Sequence, residues 1–343
     1  MKLLFIFTGG TIGSTAGNGL ISTDGEKPRK LLLAYRTRYG LDAVCDTSEP
    51  YTALSENADG HTLHLLLRSV REGMRGGYDG IIVTHGTDTL QYAAAALSYA
   101  AGSSSIPICL VSSNYPIEHP DANGLDNLHG AIRLIQEGSA RGVFVIYRNP
   151  EDVTRIHRGT RLLRSVAYSD CFYSVLQQEW GYFDAQMTLH RNPRYRALPD
   201  AIPPLSDVST EGADGQILRI DPYPGMCYPA LSRSIAAVLH GSFHSGTINT
   251  LRPDYRQFFE DAHRLGIPVY LSGAADGISY ESTALFDKLH ILPLPSMAPI
   301  AAYVKLWLGR TLSLPEIMNH SLSEDLLTAQ PPDLSASEKT GSK

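Results

Sequence analysis

A short apolar run at residues 3–7 (LLFIF) opens directly into Thr8, Gly9, Gly10, Thr11, Ile12 and Gly13. The run shows no polar alternation, the pattern of a parallel strand buried on both faces. Glycines flanked by threonines let the backbone turn sharply and bring N–H groups close to a ligand. The hydroxyls then stand at the carboxyl end of the first strand, where open α/β sheets carry their sites. The segment has neither the Gly-Lys-Ser/Thr of a P-loop nor the GxGxxG of a dinucleotide fingerprint. A plain strand-to-loop turn is the competing reading.

A second strand end of the same kind lies at residues 80–90 (GIIVTHGTDTL). Ile81, Ile82 and Val83 read as a buried strand, with Thr84, His85, Gly86, Thr87, Asp88 and Thr89 as its exit loop. Two strand ends rich in threonine, one with a carboxylate, suit nucleophilic catalysis, because a threonine hydroxyl needs a partner to take its proton. Asp88 suits either orienting a base or holding a substrate ammonium, and the neighbouring N–H groups suit an oxyanion.

These residues resemble the bacterial-type L-asparaginase/glutaminase family, and its cytoplasmic type I branch in particular. TGGTIG at 8–13 and THGTDT at 84–89 are similar to the family's two signature motifs. Ser55-Glu56-Asn57, Asn123-Gly124-Leu125-Asp126-Asn127, Asp170-Cys171-Phe172-Tyr173-Ser174 and Tyr223-Pro224-Gly225-Met226 continue the similarity along the chain. The resemblance implies an α/β, two-domain asparaginase-like fold, with a larger N-terminal parallel-sheet domain and a smaller C-terminal α/β domain. It implies Thr11 as nucleophile on a side-chain amide carbon, Thr87 as the second threonine, Asp88 on the substrate's α-ammonium and Ser55 on its α-carboxylate. Gly10 and Glu56 are expected beside the same substrate. The implied reaction converts L-asparagine to L-aspartate and ammonia through a threonine acyl-enzyme, with no metal or cofactor.

Three positions depart from that pattern. Arg164 ends Arg158-Gly159-Thr160-Arg161-Leu162-Leu163-Arg164, where the family carries its catalytic lysine. A guanidinium keeps the charge but is not a base at working pH, and its planar fork differs from an ammonium. Gly19 is followed by Leu20 rather than a lid tyrosine, and Glu56 replaces a neutral residue. Two alternatives follow. One is an N-substituted asparagine or sugar–amino-acid conjugate as substrate; the other is a non-catalytic amino-acid-binding protein.

The chain of 343 residues, 43% hydrophobic, is long enough for two domains. A formal charge of −6 argues against nucleic-acid or anionic-membrane surfaces. The apolar start is too short for a signal peptide, no segment reaches the ~20 apolar residues of a membrane span, and the expected compartment is the cytoplasm. Cys45, Cys109, Cys171 and Cys227 form no CxxC, so no disulfide framework is expected. Cys109 reads as a buried core thiol and Cys171 as a packing residue.

Apolar strands at 3–7, 80–83, 106–111 and 142–147 alternate with helical patterns at 61–74, 89–101 and 125–137, implying βαβ units. In the first of these helical patterns Arg68 and Arg71 are expected toward water. The expected organisation is a catalytic domain at 1–191, a proline-rich linker at 192–215, a second domain at 216–329 and a disordered tail at 330–343. The second domain reads as strand 235–239, helix 255–265, strand 267–271 and helix 299–308. The glycine-containing segment 14–30 is either a surface hairpin or a lid over Thr11. His61 and His64 read as solvated helix residues, and His240 and His244 as structural. The loops at 240–249 and 272–281 are polar and glycine-containing, without a nucleophile motif of their own. With the resemblance, they imply a homodimer or homotetramer in which one protomer's second domain, with Glu281 as a candidate carboxylate, completes another's site.

Overall fold

The computed structural model describes residues 1–10, 12, 14–17, 20–23, 27–274 and 280–328. Thr11, the tail 330–343 and residues 275–279 of the 272–281 loop lie outside the described residues.

The chain begins with β1 (Lys2–Phe7), whose last five residues are buried. An antiparallel ribbon follows, β2 (Ser14–Gly17) on β3 (Leu20–Thr23), and then helix α1 (Lys27–Tyr39). The segment 14–30, read as a surface hairpin or a lid, thus holds a hairpin and, beyond that expectation, the first turn of a helix. That helix escapes a periodicity reading because its apolar residues run together at 31–35 (LLLAY) instead of recurring at helical spacing; Leu31 and Tyr35, one turn apart, anchor it.

Next come β4 (Val44–Ser48), α2 (Gly60–Met74), β5 (Gly80–Thr84), α3 (Leu90–Ala101), β6 (Pro107–Val111), α4 (Gly124–Gln136) and β7 (Gly142–Arg148). Three short antiparallel strands, β8 (Thr154–Arg158), β9 (Gly181–Phe183) and β10 (Leu189–Arg191), extend the sheet. Its order is β10-β9-β8-β7-β6-β5-β1-β4, parallel from β4 through β7. The chain leaves β1 toward β4 and returns across it to β5. The crevice between the carboxyl ends of β1 and β5 is thus the topological switch point, where open α/β sheets bind ligands.

Helix α2 starts in a capping box: Asp59 accepts the Thr62 N–H at 2.8 Å, while the Thr62 hydroxyl accepts the Asp59 N–H at 2.9 Å. Its Leu63, Leu66, Leu67 and Val70 are buried at helical spacing. Arg68 is exposed, but Arg71, expected toward water, is half-buried and donates to the Val208 carbonyl at 3.4 Å. The connection it packs against supplies the missing acceptor.

Helix α3 is buried all round, because a second layer covers it. That layer comes from the smaller sheet: β11 (Ile217–Ile220), β12 (Ala237–Gly241), β13 (Val269–Ser272) and β14 (Ile291–Pro293), all parallel in that order. Helix α5 (Pro253–Arg264) covers one face through Tyr255, Phe258 and Phe259. Helix α6 (Pro299–Gly309) lies on the other, and α7 (Leu314–Met318) follows it. Ile217, Leu239 and Tyr270 of the small sheet share one apolar cluster with the alanines of α3 and with Ile300, Val304 and Leu308 of α6. The strand expected at 235–239 is displaced to β12, because the Ile235 N–H closes a turn onto the Ser232 carbonyl.

Residues 192–216 contain no helix or strand. The segment after α7 returns to the large sheet. There Lys305 and Asp325 form an ion pair at 2.7 Å with both side chains fully buried. The four cysteines are free thiols, and burial pushes the Cys109 thiol far above its usual range. No helix among the described residues is long and apolar enough to cross a membrane.

Candidate active site

The two glycine-rich strand exits meet at the switch point. Thr8 Oγ1 donates to the Thr84 carbonyl at 2.8 Å, tying the end of β1 to the end of β5. Gly9 bridges Ala53 in parallel fashion, and the Ala53 N–H donates to the Thr8 carbonyl at 3.2 Å. Both glycines have positive φ, +97° at Gly9 and +80° at Gly10. A Cβ on Gly10 would fall 2.5 Å from the Gly86 backbone, and one on Gly9 would fall 2.3 Å from the Ala53 carbonyl oxygen. The first motif therefore needs glycine for conformation and for space. Gly86 in turn abuts Ser55, whose Oγ would lie 2.4 Å from an added Cβ.

Ser55 opens a short 3-10 turn after β4 and is buried. Its hydroxyl donates to Asp88 Oδ2 at 2.8 Å and accepts the Asp88 N–H at 3.3 Å. Thr89 Oγ1 donates to the Ser55 carbonyl at 2.9 Å, and Gln91 Nε2 to the Asp88 carbonyl at 2.9 Å. Four sequence candidates, Gly10, Ser55, Thr87 and Asp88, thus gather within one small region, with Thr87 half-buried and Asp88 exposed. Glu56 is exposed beside Ser55. Thr11 lies outside the described residues, between Gly10 and Ile12.

His85 is buried, and its Nδ1 sits 3.0 Å from the Gly86 carbonyl, so Nδ1 carries the proton. Burial lowers its pKa below the usual imidazole value, leaving a neutral ring at pH 7.

Arg164 follows β8 and a 3-10 turn at Gly159–Arg161. The arginines before it are structural. Arg161 is fully buried and donates to the Glu324 carbonyl, Gln178 Oε1 and the Arg196 carbonyl at 2.8, 2.8 and 2.6 Å. Arg158 donates to the Arg141 carbonyl at 2.7 Å. Arg164 is instead exposed and faces a cavity of about 490 Å³ that starts at His85 and Asp88 and runs to Asp214, Arg219 and Trp307.

Sequence reasoning missed that far wall. Arg219 sits on β11, a strand too short to show alternation, and nothing in its neighbourhood marks it as site-forming. Tyr51, which has no motif of its own, also lines the cavity, and burial pushes its phenol up to about 12, so it remains a neutral donor. Of the histidines expected to play no part in the chemistry, exposed His61 pairs with Glu211 at 3.2 Å, while buried His240 accepts from the Tyr228 hydroxyl at 2.7 Å.

Comparison with known proteins bears on the same region. The family model "Asparaginase, N-terminal" matches residues 2–195. The D subunit of glutamyl-tRNA(Gln) amidotransferase from Pyrobaculum aerophilum is 32% identical over 178 residues, covering 51% of this chain and 42% of that one. Its counterpart in Sulfolobus acidocaldarius is 24% identical over 277 residues, covering 77% of this chain and 60% of that one. The chain thus spans less than two thirds of the length of these curated relatives. Among solved structures, the thermostable L-asparaginase from Thermococcus kodakarensis superposes with TM-score 0.77 at 25% identity, covering 96% of this chain and all of that one. L-asparaginase I from Vibrio cholerae gives 0.73 at 19% identity, covering 95% and 99%.

Proposed function

Because the chain belongs to the asparaginase family, we propose that it is an amidohydrolase that cleaves the side-chain amide of L-asparagine to L-aspartate and ammonia. The observation that carries this reading is the convergence of Gly10, Gly86, Ser55 and Asp88 at the switch point between β1 and β5.

Thr11 follows Gly10 directly and is assigned as the nucleophile. Its Oγ bonds to the amide carbon, the C–N bond breaks, and ammonia leaves with the proton. Water then hydrolyses the ester, with Thr87 assisting proton transfer. Asp88 takes the substrate ammonium and Ser55 the carboxylate. The Ser55 hydroxyl has one proton, spent on Asp88 in the free protein. A bound ammonium replaces that donor on Asp88 and frees the hydroxyl for the carboxylate, so the two contacts support each other. Arg164 supplies fixed positive charge near Asp88 rather than proton transfer, because guanidinium does not deprotonate.

On this reading residues 1–191 form the catalytic domain, 192–215 the linker and 216–329 a second domain that completes a partner's site in a dimer or tetramer. The compartment is the cytoplasm. The test is ammonia release from L-asparagine: Thr11→Ala abolishes turnover while ligand binding persists. Near-wild-type release by that variant refutes the assignment.

A further inference from the structure

We propose that the cavity beside Asp88 accepts a substituent on the amide nitrogen of an asparagine, and that Arg164 and Arg219 recognise an anionic group carried by that substituent. This rests on the amidohydrolase reading and names a substrate class for it.

Size is the first argument. A cavity of about 490 Å³ belongs with sites that enclose ligands well beyond a free amino-acid amide. Its position is the second. It begins at Asp88, which the reading assigns to the substrate ammonium, passes Arg164, which stands at the position of the family's catalytic lysine, and reaches the small sheet at Arg219. A substituent leaving the reacting amide has room there. Aromatic walls are in place: Tyr92 and Tyr303 meet edge to face at 5.9 Å, and Trp307 Nε1 is held by the Ala213 carbonyl at 3.0 Å.

Charge identifies the group that the cavity suits. Three carboxylates line the cavity, and each already has a donor. Asp59 caps α2, and the Thr62 N–H holds its carboxyl below the usual range. Asp214 Oδ1 accepts the Gly60 N–H at 2.9 Å, and Asp88 accepts from Ser55. The two guanidiniums keep donors to spare. Arg164 makes no hydrogen bond or ion pair among the described residues. Arg219 donates to the Tyr92 hydroxyl at 3.2 Å and reaches exposed Asp221 at 3.3 Å, which leaves most of its five N–H donors available. Two planar donor forks on one cavity suit a carboxylate or phosphate, which a single ammonium would not bind in bidentate fashion. The arginine in place of lysine at 164 then has a use: it reads substrate.

The chemistry balances without a co-reactant. Thr11 Oγ bonds to the acyl carbon, the C–N bond breaks, the substituted amine departs with the proton, and water releases aspartate from the ester. The simplest such substrate is a β-aspartyl dipeptide, in which the amide nitrogen bears a carboxylate-ended residue.

The experiment compares kcat/KM for β-aspartylglycine, neutral β-aspartylglycinamide and L-asparagine, following aspartate formation. β-Aspartylaminomethylphosphonate in parallel separates a preference for phosphate-like groups from one for carboxylate. The acidic substrates are expected to exceed the glycinamide by about tenfold or more, as for hydrogen bonds to a charged group. Arg219→Gln and Arg164→Gln each bring that ratio toward one, with circular dichroism confirming the fold. Cleavage of asparagine with no preference for the acidic conjugates overturns this inference alone. So does a preference that survives both substitutions. Failure to cleave any of the substrates, asparagine included, overturns the amidohydrolase reading itself.

Discussion

Replacing Asp325 by asparagine removes the counter-charge of a lysine that has no access to water. Lys305 Nζ donates to Asp325 Oδ2 at 2.7 Å and to the His320 carbonyl at 2.7 Å. The Tyr99 hydroxyl donates to the same carboxylate oxygen at 2.9 Å, and the Leu322 N–H donates to Oδ1 at 2.9 Å. In Asp325→Asn one carboxylate oxygen becomes an NH₂ that faces either the Leu322 N–H or the lysine, and the ammonium is left uncompensated. Breaking one side of a buried pair costs about 3–5 kcal/mol. Adding Lys305→Met removes the stranded charge, so the double variant is expected to be more stable than Asp325→Asn by about 2 kcal/mol. Urea unfolding followed by tryptophan fluorescence measures both, since Trp307 lies on the same helix as Lys305 and Trp180 in the core of the large sheet. A single variant within about 1 kcal/mol of the parent, or a double variant as unstable as the two singles added, refutes the reasoning. The wider consequence concerns architecture. This pair, with Thr160 donating to the Ser323 carbonyl and Ser323 to the Ser98 carbonyl, fastens the segment after α7 to α3 and the large sheet.

Arg164→Lys is expected to raise ammonia release from L-asparagine by about tenfold, because an ammonium can exchange a proton and a guanidinium cannot. Unchanged or lower release would show that a lysine there gains no access to the chemistry. His157 is fully buried against Ser174, and burial lowers its pKa to about 3. Unfolded, it titrates near its ordinary value of about 6.5. The neutral ring therefore contributes stability that is present above about pH 6.5 and is lost as pH falls toward 3, by about 1.4 kcal/mol per pH unit. His157→Asn is expected to flatten the acid limb of a urea-midpoint profile, and an unchanged limb contradicts that. Light scattering is expected to give at least twice the 37.4 kDa chain mass; a monomer with full activity on dilution would sink the assembly reading.

Much of the large sheet was legible because its signals are local. The apolar runs of β1, β5, β6 and β7 are each bounded within a few residues, and the threonine- and glycine-rich exits of β1 and β5 follow them without interruption. Gly10, Ser55, Thr87 and Asp88 could be named from such patterns and from resemblance. Helix α1 and strands β4, β8, β9, β10, β11 and β14 were not, since they are short or weakly patterned and are held by neighbours distant in the chain.

What the amino-acid order determined alone is the buried parallel strands β1, β5, β6 and β7 and the hydroxyl-rich turns that leave β1 and β5, because period, turn residues and hydroxyls act over a few positions. What only the tertiary structure decided is which distant side chains share a space. Asp214, Arg219 and Trp307 reach the cavity beside Asp88 because α6 packs the small sheet onto α3. Lys305 reads as a lone charge in an apolar helix until the chain brings Asp325 against it. Such partners are fixed by three-dimensional packing and carry no mark in the residues around them.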